Sequence, residues 1–199
     1  MSPRITFEKE LSLLTEHVTD MAKKVEENYE DLFLSYENKS EDNLIRIKGI
    51  DKEISKRQRE IESECLFLIT KQQPIAGDLR VITASLKVVT DIERVGDHVS
   101  DMAELLLRMG MKDLDLYSVH LYPMIRAAKE MVHMAVKAFV ERDRKTAEEV
   151  MKSDDVVDEL FNKVKPFLNE ATDFLSVMDC LYALQAADIN DEGEVFICL

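Results

Sequence analysis

The sequence contains no tryptophan, only five glycines, four prolines and three cysteines in 199 residues. So few chain breakers leave long uninterrupted segments, which argues against a turn-rich β fold and for helix. The cysteines, Cys65, Cys180 and Cys198, are widely spaced and include no CxxC pair. They supply neither a disulfide framework nor a zinc knuckle, which fits a reducing compartment. No stretch approaches the ~18 apolar residues of a membrane span. The first ten residues carry Glu8 and Glu10 and lack the apolar run of roughly 7–15 residues that a secretory signal requires. The expectation is therefore a cytoplasmic protein. Positive charge is scarce as well: 26 Lys and Arg stand against 40 Asp and Glu, a formal net charge of -14. Such a chain repels nucleic-acid phosphates, so no nucleic acid is expected as a ligand. Metal cations or basic protein surfaces suit it better, although the same acidity also serves plain solubility.

What is present is apolar periodicity. Hydrophobic residues make up 46% of the chain, enough for a packed core. Leu11, Leu14, Val18, Met21, Val25, Tyr29, Leu32, Phe33 and Tyr36 recur at three- and four-residue steps, the stripe of a long amphipathic helix over 5–36. Asn38-Lys39-Ser40 is a polar break, and Ser40 can cap a second helix predicted over 41–70, with Leu44, Ile47, Ile54, Ile61, Cys65 and Leu68 on its inner face. Pro74 ends that helix and is expected in the first turn of a third, which runs to Met109 with Gly110 as its cap. Shifted by 103 positions, the first stripe reappears. Leu14 falls on Tyr117, Val18 on Leu121, Met21 on Met124, Val25 on Ala128, Tyr29 on Val132, Phe33 on Val136, Ile47 on Val150 and Ile54 on Val157. A polar break, Glu141-Arg142-Asp143, recurs in the same place. The pattern predicts an all-α chain of two antiparallel three-helix bundles, over 1–110 and 111–199.

Chemistry-bearing residues concentrate in the third helix. Glu93, Asp97 and Asp101 are four apart, so three carboxylates share one face with ~5–6 Å between neighbouring β-carbons. Like charges at that spacing repel unless a cation or a basic side chain such as Arg94 sits against them. Gly96 lies among them. A mid-helix glycine costs ~0.5–1 kcal/mol relative to alanine, and close approach of a neighbouring helix would explain it. Asp51 on the second helix is placed to face Glu93 and Asp97. Its equivalent at the 103-residue offset is Asp154, followed four residues on by Asp158, where the first half has Ser55. Asp154 and Asp158 also read as ordinary acidity at a helix N-terminus, and the three-carboxylate row also reads as a solvated acidic face.

Glu130-Met131-Val132-His133 is an ExxH, the signature of di-iron bundles, but that site needs a second ExxH on another helix. None exists among the placements of His17, His98 and His120, so His133 is read as a surface or boundary residue. No P-loop, glycine-rich fingerprint or nucleophile elbow is present. The sequence is read as not being an enzyme, with a metal-dependent enzyme on a helical bundle and a purely structural dimerisation module as the alternatives.

Gln73-Pro74-Ile75-Ala76-Gly77-Asp78-Leu79-Arg80 resembles the PxAxDLR helix junction of the PhoU family, and Glu93-Arg94-Val95-Gly96-Asp97-His98 resembles its ERxGD motif. Asp154-Asp155-Val156-Val157-Asp158-Glu159 is similar to the family's second DxxxD helix. The resemblance covers the chain to about Ala187. It implies two PhoU-like three-helix repeats and a negative regulator of phosphate uptake and of the phosphate-starvation response. The implied partners are the ATPase of the phosphate ABC transporter and a membrane sensor histidine kinase, contacted from the cytoplasm or at the inner face of the membrane. A homodimer or higher homo-oligomer is also implied. Metal ions are the implied cofactors, with Fe, Zn, Mn and Mg as candidates. Carried over by position, the ligands are Asp51, Glu93 and Asp97 in the first half and Asp154 and Asp158 in the second, with His98 and Asp101 adjoining. The chain departs from the family at its end. Leu181-Tyr182-Ala183-Leu184 resembles the lead-in to a second ERxGD helix, but Val195 falls on the aspartate position, and Gly193 and the terminal Phe196-Ile197-Cys198-Leu199 do not continue a helix. The third helix of the second half is expected to be shortened or replaced.

Overall fold

A computed structural model describes residues 3–110, 118–168, 188–189 and 195–196. Among the described residues six helices carry the fold: α1 Pro3–Asn38, α2 Glu41–Lys48, α3 Asp51–Gln72, α4 Ala76–Met109, α5 Ser118–Glu141 and α6 Arg144–Leu168. Two strands of two residues each, β1 Asp188–Ile189 and β2 Val195–Phe196, pair antiparallel with Asp188 opposite Phe196 and Ile189 opposite Val195. α4 packs against α1, α2 and α3, α5 against α6, and α5 also against α1.

The apolar stripes became the core. Leu11, Leu14, Val18, Met21, Val25, Tyr29 and Leu32 of α1 are buried, as are Leu44, Ile47, Ile54, Ile61, Cys65 and Leu68 of the next two helices. They meet Ile82, Val89, Ile92, Val95 and Val99 of α4, so one face of each helix leaves water together. Met124, Ala128, Val132, Ala135 and Val136 of α5 and Val150 and Val157 of α6 continue the same core. Burial pushes the Cys65 thiol up to about 12, which makes it an inert core residue.

The expected second helix over 41–70 is two helices. The chain breaks at Gly49-Ile50, where the Gly49 N–H donates to the Arg46 carbonyl oxygen at 3.2 Å in a tight turn. Ile50 N–H donates to Ile47 O at 3.0 Å, and α3 starts at Asp51. A glycine lacking helix propensity sits at the break, and the Ser100 hydroxyl in α4 donates to the Lys48 carbonyl oxygen at 2.6 Å. An acceptor stranded at the end of α2 is thereby satisfied. Pro74 also falls outside the next helix rather than in its first turn: Gln73 caps α3 at φ 46°, Ile75 is the N-cap of α4, and α4 opens at Ala76. Ser40 is the N-cap of α2 as expected, but its side chain makes no capping hydrogen bond. Gly110 caps α4 at φ 68°.

The turns after α1 and α5 are one turn built twice. Lys39 and Arg142, 103 residues apart, have φ 52° and 53°. Ser40 N–H reaches Ser35 O at 2.9 Å, and Asp143 N–H reaches Ala138 O at 3.0 Å. Lys39 N–H and Arg142 N–H reach back three residues, to Tyr36 O and Phe139 O. This is the Schellman arrangement with a left-handed non-glycine residue in its centre. The offset read from the apolar stripe thus coincides with the offset of the backbone. α6 runs unbroken through the equivalent of Gly49, where Lys152 stands.

Where the family pattern has a second ERxGD helix, and where this chain was expected to have it shortened or replaced, the described residues form the β1–β2 ribbon, and β2 lies beside α4. Leu181–Leu184 and Gly193, which bear on the same expectation, lie outside the described residues, as do Cys180 and Cys198.

Candidate functional site

The site lies along the seam of α3 and α4. The break at Gly49-Ile50 places Asp51 in the first turn of α3, where the exposed N–H groups and the helix dipole favour a carboxylate. Across the seam α4 presents Glu93 and Asp97 half-buried and Asp101 exposed. Gly96 sets the spacing. A β-carbon there would lie 3.1 Å from Ile54 Cγ2, so the helices approach closely at this point and the glycine accommodates Ile54. Close approach is what the mid-helix glycine predicted. One turn along, the Ser55 hydroxyl donates to Glu93 Oε1 at 2.8 Å. The seam therefore has an apolar contact in its middle and carboxylates at its margin.

The electrostatics show that these acids face one another. Partial burial first, and then the neighbouring charges of Glu93, Asp51 and Asp101 in that order, push the Asp97 carboxyl up to about 6. The carboxylates predicted from spacing are thus brought within reach of each other by two helices. They do not form a finished chelate: among the described residues no three His, Cys, Asp or Glu side chains are gathered as metal ligands. The donor set is all oxygen, which suits a hard cation. Ligation by Asp51, Glu93 and Asp97 together requires their side chains to turn toward a common point.

His98 follows Asp97 by one residue, so its ring leaves the helix about 100° away from the carboxylate. Burial lowers its pKa; Asp101 opposes and Arg94 assists that shift. Both ring nitrogens are buried without a hydrogen-bond partner.

In the second half, Asp154 and Asp158 lie in the interior of α6, so the reading of Asp154 as an N-terminal cap does not hold. The pKa of Asp154 is raised by partial burial, then by Asp158 and Asp155. The ExxH residue His133 is a surface residue, with Nδ1 3.0 Å from Glu26 Oε2 across the α1–α5 contact.

Two supporting residues were missed in the sequence. Ser55 was noted only as the missing carboxylate of a DxxxD, and Ser100 not at all. Gly49 was the available signal for the helix break that gives both Asp51 and the Lys48 carbonyl their settings.

A family model described as "PhoU domain" matches residues 18–106. A second, described as "ABC-three component (ABC-3C) system Middle Component 7", matches residues 144–196. A relative from Clostridium acetobutylicum, a phosphate-specific transport system accessory protein PhoU homolog, is 34% identical over 198 residues, covering 93% of this chain and 89% of its own. One of the same description from Thermotoga maritima, homolog 1, is 31% identical, covering 98% of this chain and 85% of its own. The crystal structure of the phosphate transport system regulatory protein PhoU from Streptococcus pneumoniae superposes with a TM-score of 0.79 over 89% of both chains at 22% identity, a likeness of fold.

Proposed function

The chain belongs to the PhoU family, and from that premise we propose that it is an accessory protein of a phosphate-specific transport system. In this reading it restrains phosphate uptake and the phosphate-starvation response through protein contact and catalyses no reaction. Its partners are the ATPase of the phosphate ABC transporter and a sensor histidine kinase, met at the inner face of the membrane. The observation that carries the reading is the 34% identity along 93% of the chain to a relative with that description. Two physical features agree with it. No described helix is long and apolar enough to cross a membrane. The candidate site is a row of carboxylates along the seam of two helices, a charged face that a protein partner or a cation can meet. Deleting the gene tests the reading: alkaline phosphatase and phosphate uptake are expected to rise at high phosphate, and unchanged levels of both overturn it.

The same reading places a cation on Asp51, Glu93 and Asp97, bordered by Asp101. Like-charge repulsion along that row is the supporting observation, because a cation relieves it. The hard oxygen donors fit Mg or Mn, and Fe and Zn would gain from a nitrogen donor. The α6 pair Asp154 and Asp158 is the weaker site in this scheme. Self-association as a homodimer belongs to the reading too, and light scattering on the purified chain checks it.

A further inference from the structure

The 103-residue offset carries from the turns into the site. Asp51, Lys52, Glu53, Ile54 and Ser55 open α3 in the order half-buried, exposed, exposed, buried, half-buried, and Asp154, Asp155, Val156, Val157 and Asp158 of α6 repeat that order. The five places are therefore equivalent. Of the two half-buried ones, the first is a carboxylate in both halves, Asp51 and Asp154. The second is a carboxylate in α6, Asp158, and a hydroxyl in α3, Ser55. That hydroxyl enters the α3–α4 seam. Ser55 Oγ donates to Glu93 Oε1 at 2.8 Å, one turn along α3 from Asp51 and next to Ile54, for which Gly96 leaves room. Across the seam Glu93 and Asp97 are half-buried, and the charges of Asp51 and Glu93 both reach Asp97. Asp101 is exposed and lies past the start of α3, level with Lys48, whose carbonyl oxygen accepts from the neighbouring Ser100.

We propose that Ser55 sets the capacity of this face: its hydroxyl holds Glu93 in place and occupies the position of a fourth carboxylate, so that Asp51, Glu93 and Asp97 take one hard divalent cation and not a pair. The proposal rests on the cation reading given above and adds the residue that fixes its charge. Charge decides the number. Two divalent cations are balanced by four carboxylates but exceed three, and neighbouring cations repel each other unless enough negative charge lies between them. Geometry decides the positioning. The bond to Oε1 ties the Glu93 carboxylate across the seam and restricts its rotamers, and a donor ordered before binding gives up less entropy when it binds. A hydroxyl does this without adding charge, whereas an aspartate at the same place would repel Glu93 in the metal-free chain. Ser55 is thus a positioning residue for Glu93. A merely structural hydrogen bond would contribute to stability and leave the number and affinity of bound ions unchanged.

The test titrates the full chain, freed of metal with chelator, with Mn(II). Asp154→Asn with Asp158→Asn forms the background, so that the α6 pair contributes no ion. Ser55→Asp, Ser55→Ala and Ser55→Thr are compared with that parent by calorimetry and by the electron paramagnetic resonance of the bound Mn(II), and melting curves in chelator establish that each variant folds. The parent is expected to bind one Mn(II) with the spectrum of an isolated ion. Ser55→Asp is expected to bind two, with the spectrum of an exchange-coupled pair. Ser55→Ala should keep one ion but bind it about tenfold or more weakly, and Ser55→Thr, which retains the hydroxyl, should restore the affinity. A single ion in Ser55→Asp, two ions in the parent, or parental affinity in Ser55→Ala overturns the proposal and leaves the cation reading standing. No Mn(II) bound by the parent overturns the cation reading and the proposal with it. Should Ser55→Asp not fold without metal, the affinities of Ser55→Ala and Ser55→Thr decide: loss in the first with recovery in the second supports the role of Ser55, and equal affinity in both overturns it.

Discussion

Asp97 is ionised at neutral pH against its surroundings: burial and the charges of Glu93, Asp51 and Asp101 hold its carboxyl up at about 6, from an ordinary 3.8. Below 3.8 both the folded and unfolded chains hold the proton and nothing is lost. Between 3.8 and about 6 only the folded chain holds it, so stability falls as pH rises. Above about 6 the penalty is complete, and with solvent screening it amounts to about 1 kcal/mol. Asp97→Asn should therefore stabilise the metal-free chain by about 1 kcal/mol at pH 7, with the gain vanishing near pH 3.8; urea titrations at both pH values check this. A bound cation reverses the picture. If Asp51, Glu93 and Asp97 hold one, the parent melts at a lower temperature with chelator, and Glu93→Ala with Asp97→Ala loses that sensitivity. Saturation to a hundred times the dissociation constant is worth about 2.7 kcal/mol. Elemental analysis without metal and chelator-insensitive melting would show the row to be a solvated face. Gly96 makes the third argument at this scale. A β-carbon there already meets Ile54 at 3.1 Å, so Gly96→Leu should overpack the seam and cost about 1–3 kcal/mol by the same measurement.

At the scale of elements, the break between α2 and α3 connects backbone to site. An unbroken helix over these residues would bury Asp51 in mid-helix, remote from a free N-terminus. The break strands the Lys48 carbonyl, and the Ser100 hydroxyl satisfies it at 2.6 Å. Ser100→Ala removes the partner of the Lys48 carbonyl and should destabilise by about 0.5–1.5 kcal/mol, the net worth of one hydrogen bond. A midpoint in denaturant within error of the parent would show that water replaces the hydroxyl. The paired turns after α1 and α5 give the opposite sign. Arg142 is held at φ 53°, a left-handed conformation that costs a non-glycine residue roughly 1 kcal/mol. Arg142→Gly should raise stability by up to about 1 kcal/mol, provided the turn and not the side chain sets the conformation.

Across the whole molecule, the first bundle and the α5–α6 pair meet through α1 and α5 in a single antiparallel register. His133 faces Glu26, Lys129 pairs with Glu30, and the Tyr122 hydroxyl donates to Glu37 at 3.0 Å, so each step along α1 matches an equal step back along α5. Phe33 and Tyr122 pack edge-on with ring centroids 5.0 Å apart. The exposed ion pairs contribute little individually, and the aromatic pair is expected to carry about 0.5–1.5 kcal/mol of coupling between the two parts. A double-mutant cycle on Phe33→Leu and Tyr122→Leu measures that term directly.

The sequence by itself determined the helices, their inner faces and the acidic row. These are local properties: scarce glycine and proline, a stripe of period 3.6, and carboxylates four apart on α4 are all legible along one chain. The 103-residue offset was legible for the same reason, since a turn and a stripe repeat together. Which carboxylates face each other was only half legible, because α3 and α4 meet at a register set by Gly96 against Ile54 and by Ser55 against Glu93, contacts between residues about forty positions apart. The split of the second helix was decided by tertiary structure too. Gly49 permits a break, but it is the packing of both short helices on α4, with Ser100 closing the open carbonyl, that makes the broken form the stable one.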